Sequence, residues 1–291
     1  MEDIKEIAAI SRSELVRMLR SARVLVLFGL YSMFSVLVLL VVGSVAKAVR
    51  TSVNEKVGQL GSDAGVQQAY AQARTGILGF LFSDEPAILE ALKEIPLVVL
   101  IVFKVTLVFL PAYVALMGFD QISGELGTRS IRYLTVRARR SSVLFGKFLG
   151  QAVLLLGLVL VIDLGIFAYA KATNEDFTPA MLASALPRFW AAAMVFSLAY
   201  VALTSLCSTL FRSSALSLVV NLVGLFSFWL MDVVGRAESG LGAIRYASPS
   251  HYATMLLDPR VAQFAIGVGA YAGFAAVFLG AAYAVIRTRD L

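Results

Sequence analysis

Residues Val143 to Ala170 read VLFGKFLGQAVLLLGLVLVIDLGIFAYA. Only Lys147 and Asp163 in this stretch carry a formal charge at neutral pH. A helix of that length rises about 42 Å, more than the roughly 30 Å of a bilayer's hydrocarbon core. Five further segments have the same character: Val24–Ala46, Leu97–Gly118, Phe189–Leu210, Ala215–Val234 and Gln263–Ile286. The pattern predicts six transmembrane helices. Composition agrees, since apolar residues make up 59% of the chain, charged residues 15%, and mean hydropathy is +0.83. A soluble domain carries about 45–50% apolar and about 25% charged residues. No linker, low-complexity stretch or internal repeat divides the chain, so residues 1–291 read as one all-α integral membrane domain.

The loops set an orientation. One side collects Lys5, Arg12, Arg17, Arg20, Arg23, Arg129, Arg132, Arg137, Arg139, Arg140, Lys147, Arg212, Arg287 and Arg289. The acids on that side are Glu2, Asp3, Glu6, Glu14, Asp120, Glu125 and Asp290, so fourteen positive charges face seven negative ones, a net of +7. The opposite loops hold ten of the 25 basic residues and eleven of the 19 acidic ones, a net of −1. Lys and Arg accumulate in cytoplasmic loops, so both termini are expected in the cytoplasm. The first span, about 23 residues long, exceeds the apolar core of a signal peptide and is read as an anchor.

Three flanking segments stand out. Residues 1–23 place Ile4, Ile7, Ala8, Ser11, Leu15, Met18 and Leu19 at helical spacing, with Lys5, Glu6, Arg12, Arg17 and Arg20 on the other face. This predicts a helix lying in the headgroup layer of the bilayer, the packing of that face on a protein partner being the alternative. Residues 47–96 form an external connection too polar to cross and too long to be an idle loop. Residues 235–262, with Tyr246, Pro249, His251, Tyr252 and an apolar run at Met255–Leu257, predict an external re-entrant or interfacial segment before the last span.

Charges within the spans are expected to pair or to face a cavity. Lys104 and Asp163 sit about seven residues from the outer ends of antiparallel spans, which predicts an intramembrane ion pair. Trp190 and Trp229 fit interface anchors, and Gly157, Gly165, Gly224, Gly267, Gly269 and Gly273 fit helix-packing sites. Cys207 is the only cysteine and His251 the only histidine, which removes an intrachain disulfide, a thiolate metal site and most thiol or metal catalysis. A basic chain of this kind calls for lipid rather than nucleic acid as its medium.

The most informative loop, residues 119–142, runs FDQISGELGTRSIRYLTVRARRSS between the second and third spans. It is a short polar helix punctuated by Gly124 and Gly127, with Leu126, Ile131 and Leu134 set among charges. Such a segment can insert an apolar ridge into a partner while its charges fix orientation. The ordinary alternative is a basic loop held by anionic lipid.

Asp120, Ile122, Glu125, Gly127, Thr128, Leu134, Arg140, Gly146 and Lys147 give this stretch a motif that resembles the permease subunits of type-2 ABC transporters. Arg137, Ala138 and Arg139 stand where that family usually has Pro-Val-Ser. The chain is also similar in general type to the branch that includes the nitrous oxide reductase maturation permease. The resemblance implies a subunit of an exporter in the bacterial inner membrane, pairing with a second permease copy as a homodimer. A separate cytoplasmic ABC ATPase would bind ATP and Mg. The coupling helix implied for that ATPase is Gly124, Glu125, Leu126, Gly127, Thr128, Arg129, Ile131, Arg132 and Tyr133. This chain has no phosphate loop of its own, for Gly146-Lys147 is followed by Phe148 and opens a span. No cofactor or metal is expected in it.

Three rival readings are a membrane enzyme, an ion-coupled secondary transporter with Lys104 and Asp163 as its relay, and a mechanical subunit acting on a periplasmic partner through residues 47–96. The first lacks a cluster of catalytic groups, and the second lacks inverted repeats.

Overall fold

The computed structural model describes residues 2–22, 24–37, 97–173, 179–258 and 260–289, with isolated positions at 40, 44, 75, 76, 79 and 90. The described residues are helical and contain no strand. Helix α1 is Glu2–Leu19, and α2 is Val24–Leu37, bent from it by 67°. There follow α3 (Leu97–Gly118), α4 (Ser123–Gly127), α5 (Ile131–Arg137), α6 (Arg140–Thr173), α7 (Pro179–Leu210) and α8 (Ser214–Ala237). Three 3-10 turns (Ser239–Ala247, Pro249–Tyr252 and Thr254–Leu257) lead into α9 (Val261–Thr288). Among the described residues five helices are long and apolar enough to cross a membrane, or up to six if the bent α1–α2 pair is counted as one span. The predicted external connection 47–96 lies outside the described residues except at 75, 76, 79 and 90.

Two boundaries differ from expectation. Helix α7 begins at Pro179 and runs through Pro187, where the sequence suggested a later start. A proline removes one backbone donor, which a membrane helix tolerates when neighbours satisfy the freed groups. Helix α6 begins at Arg140 and ends at Thr173, beyond its apolar stretch at both ends.

Helix α7 is the centre of the bundle and touches α3, α6, α8 and α9. Its Ala192, Ala193, Ala199 and Ala202 are fully buried and let neighbouring backbones approach. Around them pack Leu100, Phe103 and Leu110 of α3, Leu155 and Val159 of α6, and Tyr271 of α9. The tyrosine hydroxyl donates to the Pro249 carbonyl at 2.7 Å, and Ser248 donates to the Phe228 carbonyl at 2.7 Å. These bonds tuck the 3-10 turns between α8 and α9. The predicted re-entrant segment therefore takes the form of short 3-10 pieces folded back on the bundle.

The glycines expected at helix contacts behave otherwise. Of these six, Gly267 alone is closely approached within the chain, by Leu256 and Met255, while Gly157, Gly165, Gly224, Gly269 and Gly273 have open space where a Cβ would stand. Trp190 also departs from a simple interface role, for its indole N–H donates to the Leu156 carbonyl at 3.1 Å. Trp229 remains exposed.

Candidate functional site: the α4–α5 segment and its buried charge cluster

The predicted single helix is two, α4 and α5, separated by Thr128–Ser130. Arg129 at this break has φ 60, a left-handed conformation that costs a non-glycine residue about 1–2 kcal/mol. Short hydrogen bonds pin the start of α4. The backbone N–H groups of Ile122 and Ser123 both donate to Ser208 Oγ at 2.9 Å. Gly127 lies against the Arg212 carbonyl, whose oxygen would stand 2.8 Å from a Cβ there. Any larger residue at Gly127 would push α4 off the α7–α8 connection.

The apolar ridge expected to meet a partner turns inward. Ile122, Leu126 and Ile131 form a buried cluster with Leu144 of α6 and with Ala282 and Ile286 of α9. Glu125 is buried too. What remains outside is Gly127, Thr128, Arg129, Arg132, Tyr133 and Val136. Tyr133 is 80% exposed and Val136 86% exposed, so the displayed surface is a cationic and apolar face on α5. Gly124 is intermediate. The break at Arg129 explains the inversion, because it rotates α5 relative to α4 and separates residues that one continuous helix would align.

Glu125 belongs to a charge cluster built by three helices. Lys147 of α6 is fully buried, and its Nζ donates to Glu125 Oε1 at 2.7 Å and to Glu14 Oε1 at 2.5 Å. Arg17 Nη1 donates to the same Glu125 oxygen at 3.0 Å and lies 3.6 Å from Glu14. Two cations meet two carboxylates, so the formal charge is balanced where an unpaired charge would be costly. Gln121 Nε2 adds a bond to the Lys147 carbonyl at 2.5 Å.

The helix backbones reach this closeness through two glycines. An added Cβ at Gly146 would stand 2.7 Å from Ile10 Cβ, and one at Gly150 would stand 3.2 Å from Glu14 Cβ. One turn of α6 thus supplies the seat for α1, through Gly146 and Gly150, and the charge that holds it, through Lys147. The seating also shows what the apolar side of α1 meets within the chain. Ile7, Ile10, Ser11, Glu14, Leu15 and Met18 form its inward side, against α6 and the core. Ile4, Lys5, Arg12, Val16, Leu19 and Arg20 are exposed.

Two arginines tie the same end of the bundle together. Arg140 Nη1 donates to the carbonyls of Ile286, Arg287 and Arg289, each at 3.0 Å. Arg289 donates to the carbonyls of Thr209 and Leu210 at the end of α7. Terminal carbonyls lack intrahelical partners and carry the negative end of the helix dipole, so guanidinium groups satisfy both needs.

Lys104 and Asp163 are not brought together. Asp232 and Arg236 of α8 are among the charged groups that act on Lys104. Asp163 is buried beside Tyr31 of α2. Similar depth was the argument for the pair, but the helices' rotation aims the side chains at different neighbours. At the opposite end of the bundle Arg236 donates to both oxygens of Asp232, and His251 Nδ1 lies 3.8 Å from Oδ1. Burial and the nearby Arg245 hold the His251 imidazole below its ordinary pKa, with Asp232 opposing them. Among the described residues no three His, Cys, Asp or Glu side chains are placed to hold a metal ion.

Sequence reasoning missed Glu14 and Arg17 as site residues. A signal was present, because Glu14 falls at helical spacing with Ile7, Ile10 and Met18, and an acid on an apolar face needs a partner.

No curated protein matches the chain. The model of the ABC-2 family transporter protein matches residues 8–291, from α1 through the last span. The chain therefore belongs to the ABC-2 transporter family, as a membrane-spanning permease without catalytic machinery of its own that works with ATPase activity in a separate subunit.

Proposed function

We propose that this permease is half of a homodimeric exporter in a bacterial inner membrane, with both termini in the cytoplasm and each copy docking a cytoplasmic ABC ATPase on α5. ATP and Mg belong to that ATPase. The observation that carries the reading is the two-sided α4–α5 segment. Its inner side is fastened by Ser208, Lys147 and the Ile122–Leu126–Ile131 cluster, and its outer side displays Arg129, Arg132, Tyr133 and Val136. A segment anchored on one side and offering an exposed aromatic and cations on the other suits force transfer from a partner. The basic end of the bundle is the cytoplasmic one on the charge rule. The length of the external connection 47–96 makes it the segment through which a periplasmic partner would be met.

The test is affinity copurification of the tagged chain in mild detergent, wild type against an Arg132→Ala, Tyr133→Ala double variant. Both side chains are exposed, so the variant is expected at wild-type yield. The wild type should bring down an ATP-hydrolysing subunit, and the variant should lose it or lose the permease's influence on its turnover. An ATPase retained with unchanged turnover control would place the docking face elsewhere. The absence of any ATPase from the wild-type preparation would sink the reading.

A further inference from the structure

We propose that Glu14, Arg17 and Lys147 are positioning residues which make α1, α4 and the base of α6 one mechanical unit. Through this unit, displacement of α4 reaches the first membrane span. The proposal rests on the docking reading above and adds the route by which motion leaves the docking segment.

Helix α4 is covalently continuous with α3 on one side and, through α5, with α6 on the other. Neither connection leads to α2. The contact between α4 and the N-terminal region is made by Glu125, whose Oε1 accepts from Arg17 of α1 and from Lys147 of α6. Lys147 simultaneously holds Glu14 of α1. Removing Glu125 from this site would leave two cations, the buried Lys147 and Arg17, to share Glu14 alone, an unbalanced charge.

Helix α1 has no comparable freedom to slip. Gly146 and Gly150 seat it within backbone distance of α6, and Ile10 and Glu14 would be struck by any side chain at those positions. An ordinary surface helix resting on lipid would need neither the glycines nor a buried cation. From Leu19 only a few residues lead to Val24, where α2 begins at 67° to α1. A helix moved with α4 therefore shifts the cytoplasmic start of α2, with α1 acting as the arm. Packed elements of this kind move as units because their interface admits discrete arrangements rather than gradual sliding.

Spin-label distance measurement on the full permease–ATPase complex tests this. The buried Cys207 is first replaced by serine, and labels go on Ser13→Cys in α1 with Thr135→Cys in α5, which is tied to α4 because Ile131 packs in one cluster with Ile122 and Leu126. A reference pair joins Ser13→Cys to Val261→Cys at the far end of α9. Between the nucleotide-free and ATP-trapped states the reference distance should shift while the Ser13–Thr135 distance keeps its value. A shift in both pairs would show that α1 and the docking segment part company, and a shift in neither would show that no motion reaches α1. Either result overturns the proposal.

The interlock is also judged in the permease alone, so that loss of the ATPase reading does not decide it. There Lys147→Met, or the milder Glu14→Gln if that chain does not fold, should broaden the Ser13–Thr135 distance distribution. Lys147→Arg should restore the narrow one. An unbroadened distribution in both weakened variants would overturn the interlock even if an ATPase binds.

Discussion

Lys147 is a cation with no exposure to solvent, and the residues before and after it explain why it can be one. Gly146 removes the side chain that would hold α1 away, and Glu14 and Glu125 then close over the ammonium. The motif residues Glu125, Gly146 and Lys147 were visible in the sequence as a spacing, but their meeting was not, since Glu125 and Lys147 touch across two helices whose relative placement no spacing fixes, and Glu14 completes the site from a third. His251 shows the same limit at the other end of the bundle. Its neighbours Tyr246, Tyr252, Asp232, Arg236 and Arg245 come from two different segments. Because its folded pKa lies below the unfolded value of about 6.5, the unfolded chain binds its proton more readily. The penalty is absent above the unfolded pKa and grows as pH falls toward the folded one. Thermal unfolding should therefore show the wild type losing stability as pH falls through the unfolded value of about 6.5, and His251→Phe losing less. Equal losses in both proteins would remove His251 from the pH response.

At the scale of elements, the six hydrophobic runs were legible because lipid demands continuous apolar length. The surface that each helix turns to its neighbours was legible only in part. Helix α1 has two apolar stripes, and the one that contains Ile7, Ile10 and Met18 lies on protein while Ile4 and Leu19 remain outside. Hydrophobicity by itself does not separate a lipid-facing stripe from a protein-facing one. The seat of α1 carries a prediction. Gly146→Leu forces a side chain against Ile10 and should lower stability by about 1–3 kcal/mol, the range for overpacking. It should also expose Lys5 and Arg12 on a loosened α1 to faster tryptic cleavage. Gly157→Leu, with open space around its Cβ, should change neither. Equal behaviour of the two variants would mean that α1 is not held by this contact.

Across the whole molecule, burial is uneven. Helix α7 is enclosed, whereas α8 and α9 are largely open to their surroundings. On α8, Leu216, Val219, Val223, Phe226, Leu230 and Val233 are all exposed and recur at alternating steps of three and four, the spacing of a helix–helix seam. Ser217, Asn221 and Asp232 occupy its inward side, and Asn221 donates to Thr204 of α7 at 2.9 Å. With the second copy proposed above, the open seam is the surface available for pairing. In a Cys207→Ser background, Val223→Cys and Phe226→Cys should give cross-linked dimers, while Leu225→Cys, which packs on the core, should not. Cross-linking without regard to face would point to random collision and leave α8 to lipid.

The sequence by itself determined the medium, the number of spans and the family motif, because each rests on local composition or short spacing. It also set the charge asymmetry from which orientation is argued. Tertiary structure decided which motif residues face inward, which neighbours Lys104 and Asp163 find, and what α1 rests on. The reason is geometric. Hydrophobic length is a property of one segment, but a buried charge is acceptable only where other helices deliver its partners, and helix rotation and the break at Arg129 settle which partners those are.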